Sequence, residues 1–223
     1  FTQGETYTDS ITVATADGTS QLITVNIAGT NNAAIITGAH SVEVTQSNLI
    51  LKADGILTAV DVDSSNAFVV QKDVKGDNGY GKFSINAVGA WTYSTDTPHR
   101  EFIEGNTYFD KINVATADGT IQTLVVTMIG TNDAATISGV ISANATESDS
   151  IVIIGGHLEV SDPDSSNTFS VQSSIAGDHG YGSFTIDETG SWTYSTNSPH
   201  NEFVNGETYS DRIVVASADG TTQ

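Results

Sequence analysis

The stretch GNTYFDKINVATADGT, residues 105–120, decides how the chain is read, because it occurs three times. GETYTDSITVATADGT starts at Gly4 and GETYSDRIVVASADGT at Gly206, so the copies are spaced by 101 residues. Alternation of polar and apolar residues through Ile112 and Val114 is the period of a half-buried strand. Asp118-Gly119 then supplies the chemistry of a hairpin turn, and the strand resumes with LVVTMIG at 124–130.

Other segments keep the same spacing. GTNN at Gly29 returns as GTND at Gly130, and DVDSSN at Asp61 as DPDSSN at Asp162. GDNGYGKFSI at Gly76 returns as GDHGYGSFTI at Gly177, and GAWTYST at Gly89 as GSWTYST at Gly190. A period near 100 residues is a whole domain rather than a solenoid unit. Cutting at the Asn-Asp connector gives three pieces. Residues 1–32 are the C-terminal part of a preceding repeat, 33–133 a complete repeat, and 134–223 a repeat without a counterpart of LVVTMIG.

Val, Ile, Thr, Tyr and Phe dominate the ordered stretches, and no run has helical period, so the chain is expected to be all-β. FSINAVGAWTYS, residues 83–94, reads as a hairpin turning near Gly89, with Trp91 and Tyr93 on one face. About seven short strands and one Trp per repeat predict tandem immunoglobulin-like β-sandwiches of 101 residues, with Trp91 and Trp192 as core anchors.

Charge narrows the function. The chain carries 27 acidic against 7 basic residues, a net charge of −20. That excludes nucleic acid and anionic membranes as partners. Divalent cations would neutralise it; plain solubility is the alternative. Without Cys, packing or metal must stabilise the fold. No apolar run is long enough for a membrane span. No nucleophile, base and oxyanion hole assemble, so no enzyme is expected. Phe1 is not an initiator Met, and the chain reads as a piece of something longer.

Three acidic features recur in fixed order: the connector (Asn31-Asn32, Asn132-Asp133), Asp-x-Asp (Asp61 with Asp63, Asp162 with Asp164) and Ala-Asp-Gly (Asp17, Asp118, Asp219). Extended backbone sends both carboxylates of Asp-x-Asp to one side, where they repel unless a cation lies between them. Ca²⁺ takes six to eight such oxygens. A solvated turn is the plain alternative for each motif alone.

In their order, these features resemble the cadherin scheme for Ca²⁺ between domains. More closely, GTNDAATISG, ATESDS, GGHLEVSDPDSSNTF, YGSFTIDETGSWTYS and GETYSDRIVVASADGTTQ resemble the VCBS-type, cadherin-like repeats of giant bacterial RTX adhesins, over essentially the whole chain. The resemblance implies type I secretion, a biofilm-type adhesin on the bacterial cell surface, and an extender that bound Ca²⁺ makes rigid. It implies metal ligands at Asn31, Asn32, Asp61, Asp63, Asp118, Asn132, Asp133, Asp162, Asp164 and Asp219. From the domain before each connector it adds Glu101, Glu147 and Glu202. Neighbouring repeats are the expected partners. The competing reading is a glycan- or surface-binding adhesive module.

Further expectations concern single residues. His99 and His200 read as structural, and GDNGYG as a turn in which Asp77 or Asp178 could hold an ion. Asp9, Asp110 and Asp211 read as surface partners of Lys111 or Arg212, as solvated strand ends, or as a second Ca²⁺ site. LITVNIAG at 22–29 corresponds to the strand missing from the last repeat, which predicts head-to-tail strand exchange between chains.

Overall fold

A computed structural model describes residues 1–223 as fifteen strands with no helix. The chain divides into two compact units, Phe1–His99 with Asn106–Gly130, and Arg100–Gly105 with Thr131–Gln223.

The first unit holds β1 (Thr6–Ala14), β2 (Ser20–Ala28), β3 (Ile35–Gly38), β4 (Ser41–Thr45), β5 (Lys52–Val60), β6 (Gln71–Lys75), β7 (Gly81–Ile85), β8 (Ala90–Thr95), β9 (Thr107–Ala115) and β10 (Ile121–Ile129). Strands β3-β5-β8-β7-β6 form one sheet and β4-β10-β9 a second. These two layers make the immunoglobulin-like sandwich that the sequence predicts. The predicted β7–β8 hairpin forms, and it turns at Gly89 with φ +84. A side chain there would strike the Leu57 carbonyl and the Phe68 ring.

Phe83, Ile85, Trp91 and Tyr93 enter the core from the first sheet. Val114, Leu124, Val126 and Met128 meet them from the second, all with 0% exposure. Each such burial contributes about 1.5–3 kcal/mol. Trp91 also donates its indole N–H to the Ala39 carbonyl at 2.7 Å. The β4–β10 pair is parallel, from Ser41 opposite Val125 to Thr45 opposite Ile129. It arises because the chain changes sheets between β3 and β4, at Gly38 with φ +109.

The hairpin β1–β2 is a separate two-stranded sheet. This hairpin has the alternation of a half-buried sheet, yet it pairs with no further strand. Ile11, Ile23, Val25 and Ile27 are exposed. Alternation marks the face a core would use, but it does not supply the opposing layer.

The second unit holds β11 (Thr136–Gly139), β12 (Ile153–Ser161), β13 (Gln172–Ala176), β14 (Gly182–Ile186) and β15 (Ser191–Thr196). They form one sheet, ordered β11-β12-β15-β14-β13. Leu158, Phe169, Ile186 and Val215 form its buried cluster. Residues 142–146, the counterpart of β4, belong to no ladder, and of 208–216, the counterpart of β9, Val215 and Ala216 pair antiparallel with Gln223 and Thr222.

Candidate metal centre

The site in the second unit begins with local chemistry. In DPDSSN, Asp162 Oδ1 accepts the backbone N–H groups of Asp164 (3.0 Å) and Ser165 (2.8 Å). The Asp162 N–H donates to Asn167 Oδ1 at 2.7 Å. Such side-chain-to-backbone bonding is what Asp and Asn bring to tight turns. It fixes the Asp162 carboxylate and leaves Oδ2 pointing elsewhere.

The connector then closes on this loop. The Asp133 N–H donates to Asp164 Oδ1 at 3.2 Å. Asp133, Asp162 and Asp164 are all buried. Oδ2 of Asp162 and Oδ2 of Asp164 are buried with no hydrogen-bond donor in the protein. A buried, ionised oxygen without a partner is strongly disfavoured. Burial first, and then the nearby Asp162 and Asp133, raise the pKa of the Asp164 carboxyl. Such a set favours a proton or a cation.

Asp219 plays a different part. It accepts from the Thr221 N–H (3.0 Å), the Thr221 hydroxyl (2.7 Å) and the Ser217 hydroxyl. It also accepts from the Ala135 N–H (3.1 Å) and the Asn132 amide (3.4 Å). Burial pushes its carboxyl up, but the Ser217 and Thr221 bonds outweigh this and hold it below the usual carboxylate range. Asp219 thus clasps the connector to the 217–221 turn.

The first unit repeats the plan with a weaker charge. Asp118 accepts from the Asn31 amide (3.3 Å) and the Ala34 N–H (3.1 Å). The Thr116 and Thr120 hydroxyls hold its carboxyl below the usual range. Asn32 N–H donates to Asp63 at 3.2 Å, and Asp61 Oδ1 accepts from Asp63 and Ser64 N–H. Asp61 Oδ2 is left without a partner. Asn32 stands where Asp133 stands, so this set has two carboxylates instead of three.

In both repeats the connector is therefore hydrogen-bonded to the Asp-x-Asp loop and to the Ala-Asp-Gly turn. Glu101 and Glu147 are exposed. Glu202 is exposed and lies 2.6 Å from His200 Nδ1, whose Nε2 faces the Tyr181 carbonyl at 2.6 Å. His99 makes the same carbonyl contact, to Tyr80 at 2.9 Å, so both histidines are structural.

Sequence reading missed Arg100, whose Nε donates to Asp133 Oδ1 at 2.9 Å. The reading of Asp110 needs correction, since it is neither a surface partner of Lys111 nor a solvated strand end. It is fully buried and accepts from the N–H groups of Asn78 (2.9 Å) and Gly81 (3.0 Å) and from the Tyr93 hydroxyl (3.2 Å). Asp211 repeats the arrangement with His179, Gly182 and Tyr194. A side chain at Gly76 or Gly177 would collide with these carboxylates, a signal the recurring glycines carried. Lys111 instead pairs with Asp77 at 3.4 Å. Asp178, His179 and Asp211 also lie close together, but Asp211 is already committed to these turn bonds.

No protein-family profile matches the chain, and no curated protein matches it. Among solved structures, the human desmocollin-1 ectodomain is 15% identical, with a TM-score of 0.36 over 94% of this chain and 38% of that one. The protocadherin GammaB4 extracellular domain is 10% identical, with a TM-score of 0.47 over 86% of this chain and 36% of that one. The chain thus spans little more than a third of either. The sialic acid-binding region of a Streptococcus sanguinis adhesin is 12% identical, with a TM-score of 0.29 over 86% of this chain and 76% of that one.

Proposed function

We propose that the chain is a Ca²⁺-binding extender segment of an extracellular adhesin, with structural rather than catalytic work to do. One observation carries the reading: the partnerless, buried Oδ2 atoms of Asp162 and Asp164 beside Asp133. An all-oxygen donor set suits a hard cation, and Ca²⁺ fits carboxylates on a loop. Asp133, Asp162 and Asp164 would hold the ion, and Asp219 would keep the connector in place. Asp61 and Asp63 offer a weaker counterpart. A bound ion supplies positive charge that removes the carboxylate repulsion.

The consequence is mechanical. A free connector lets neighbouring repeats swivel, whereas one fixed by an ion makes them a rod. Ca²⁺ sites of extracellular modules bind at roughly 10⁻⁴–10⁻³ M, so they fill outside a cell and stay empty inside. The test is thermal unfolding in EDTA and across a Ca²⁺ titration, with Mg²⁺ as control. A Ca²⁺-selective rise supports the reading, about 2.7 kcal/mol at a hundredfold excess over Kd. The rise should vanish in D162N/D164N. No rise would discard the ion, and a glycan array would then test the adhesive-module alternative.

A further inference from the structure

One of the chain's own cations already touches the candidate metal centre of the second unit. Arg100 Nε donates to Asp133 Oδ1 at 2.9 Å. The two ends of this contact differ in freedom. The Asp133 side chain is 3% exposed, whereas that of Arg100 is 48% exposed. The connector fixes Asp133, whose N–H donates to Asp164 Oδ1 at 3.2 Å. The backbone at Arg100 is anchored by Phe102, two residues on, which is 1% exposed. The guanidinium arm is thus the part with room to swing into water.

The repeat itself does not require this arginine, since the position 101 residues further on is Asn201. The charge on Arg100 is permanent, because a guanidinium does not lose its proton in a protein. It balances Asp133 but leaves the rest of the set unbalanced: Asp162 Oδ2 and Asp164 Oδ2 stay buried without a donor. Arg100 therefore occupies one corner of a three-carboxylate site and fills only part of its need for positive charge.

We infer that Arg100 is a tethered counter-ion of this centre, which competes with the divalent cation for Asp133 and so raises the Ca²⁺ concentration at which the centre fills. The inference rests on the Ca²⁺ reading above. Two positive charges on one carboxylate repel, and more strongly at a buried group than in water. The entering ion has to displace the guanidinium and break a charge-assisted hydrogen bond. While the ion is absent, the same bond keeps Asp133 beside the Asp-x-Asp loop. One cation or the other then holds the connector at every Ca²⁺ concentration. The coupling is reciprocal: whatever the ion costs the Arg100 contact, that contact costs the ion.

The test is Ca²⁺ binding to the 223-residue chain by titration calorimetry, for the wild type, R100Q and R100K. R100Q alters a half-exposed side chain, so the fold should survive, as circular dichroism would verify. It should tighten Ca²⁺ binding about tenfold, within the ordinary range of coupling between two ligands. R100K keeps the charge and should bind like the wild type. Nuclear magnetic resonance reads the displacement directly: the Arg100 Nε–H should exchange slowly with water in EDTA and rapidly in saturating Ca²⁺. No Ca²⁺ binding by any of the three chains overturns the metal reading, and this inference with it. Binding that R100Q leaves unchanged overturns the inference alone. So does weaker binding in R100Q, which would make Arg100 a support for the bound ion instead of its competitor.

Discussion

The hairpins β1–β2 and β9–β10 share their sequence pattern at a spacing of 101 residues, and the structure treats them as opposites. In β9–β10, alternation becomes burial: Val114, Leu124, Val126 and Met128 are sealed from water. In β1–β2, the same alternation leaves Ile23, Val25 and Ile27 in solvent. In the second unit, Phe184, Trp192 and Tyr194 of the single sheet are half-buried. A strand's apolar face is therefore a requirement, and only a second layer fulfils it.

The largest effect expected is a break in this comparison. Leu124→Ala should lower the stability of the first unit by about 2–5 kcal/mol, as for a large core side chain truncated in place. Ile23→Ala, its counterpart, should change the dilute monomer by no more than about 0.5 kcal/mol. Urea unfolding of both variants reads the contrast, and equal losses would show that β1–β2 is packed.

Next come the three equivalent aspartates. Asp110→Ala leaves buried N–H groups of the 76–81 turn without an acceptor and should cost on the order of 3 kcal/mol. Asp211→Ala should cost less, because water reaches the open unit. Asp9→Ala should cost nothing measurable. The order of the three melting temperatures is the check.

Arg100 separates the two connectors. Its charge sits on Asp133, while the connector at Asn31-Asn32 has a neutral amide at the matching position. In EDTA, Arg100→Ala should cost about 1–2 kcal/mol, a charged hydrogen bond reduced by the half exposure of the guanidinium. In saturating Ca²⁺, the loss should shrink. A loss unchanged by Ca²⁺ would place the ion away from Asp133.

The smallest effect is a titration. Burial first, and then Asp211, push the Tyr194 phenol up to about 12. Burial and Asp110 push Tyr93 further in the same direction. Tyrosine in an unfolded chain ionises near 10. A folded value raised above it means stability that is intact below about pH 10 and is lost as pH climbs towards the folded value. Ultraviolet absorbance should show Tyr194 ionising before Tyr93.

Much of this was legible. The turn residues, the 101-residue spacing and the Trp91–Tyr93 face gave the repeat, the strands and the hairpins, because each depends on local chemistry. That Asn132-Asp133, Asp162-Asp164 and Asp219 belong together came only from the resemblance to the cadherin scheme, since each motif alone reads as a turn. Asp110 was not legible, since a carboxylate buried by turn N–H groups has the same spacing as one at a solvated strand end. Arg100 was missed because its partner lies 33 residues further along the chain. The parallel β4–β10 pair was hidden as well, for nothing in SVEVT announces a change of sheet.

That parallel pair bears on load. β4 is the first strand of the second sheet and β10 the last, and both run the same way. Tension applied at the two connectors pulls the start of β4 against the end of β10. It draws on all their inter-strand bonds side by side, where an antiparallel hairpin would open one bond at a time. Stretched from end to end, the first unit should yield late and in one step.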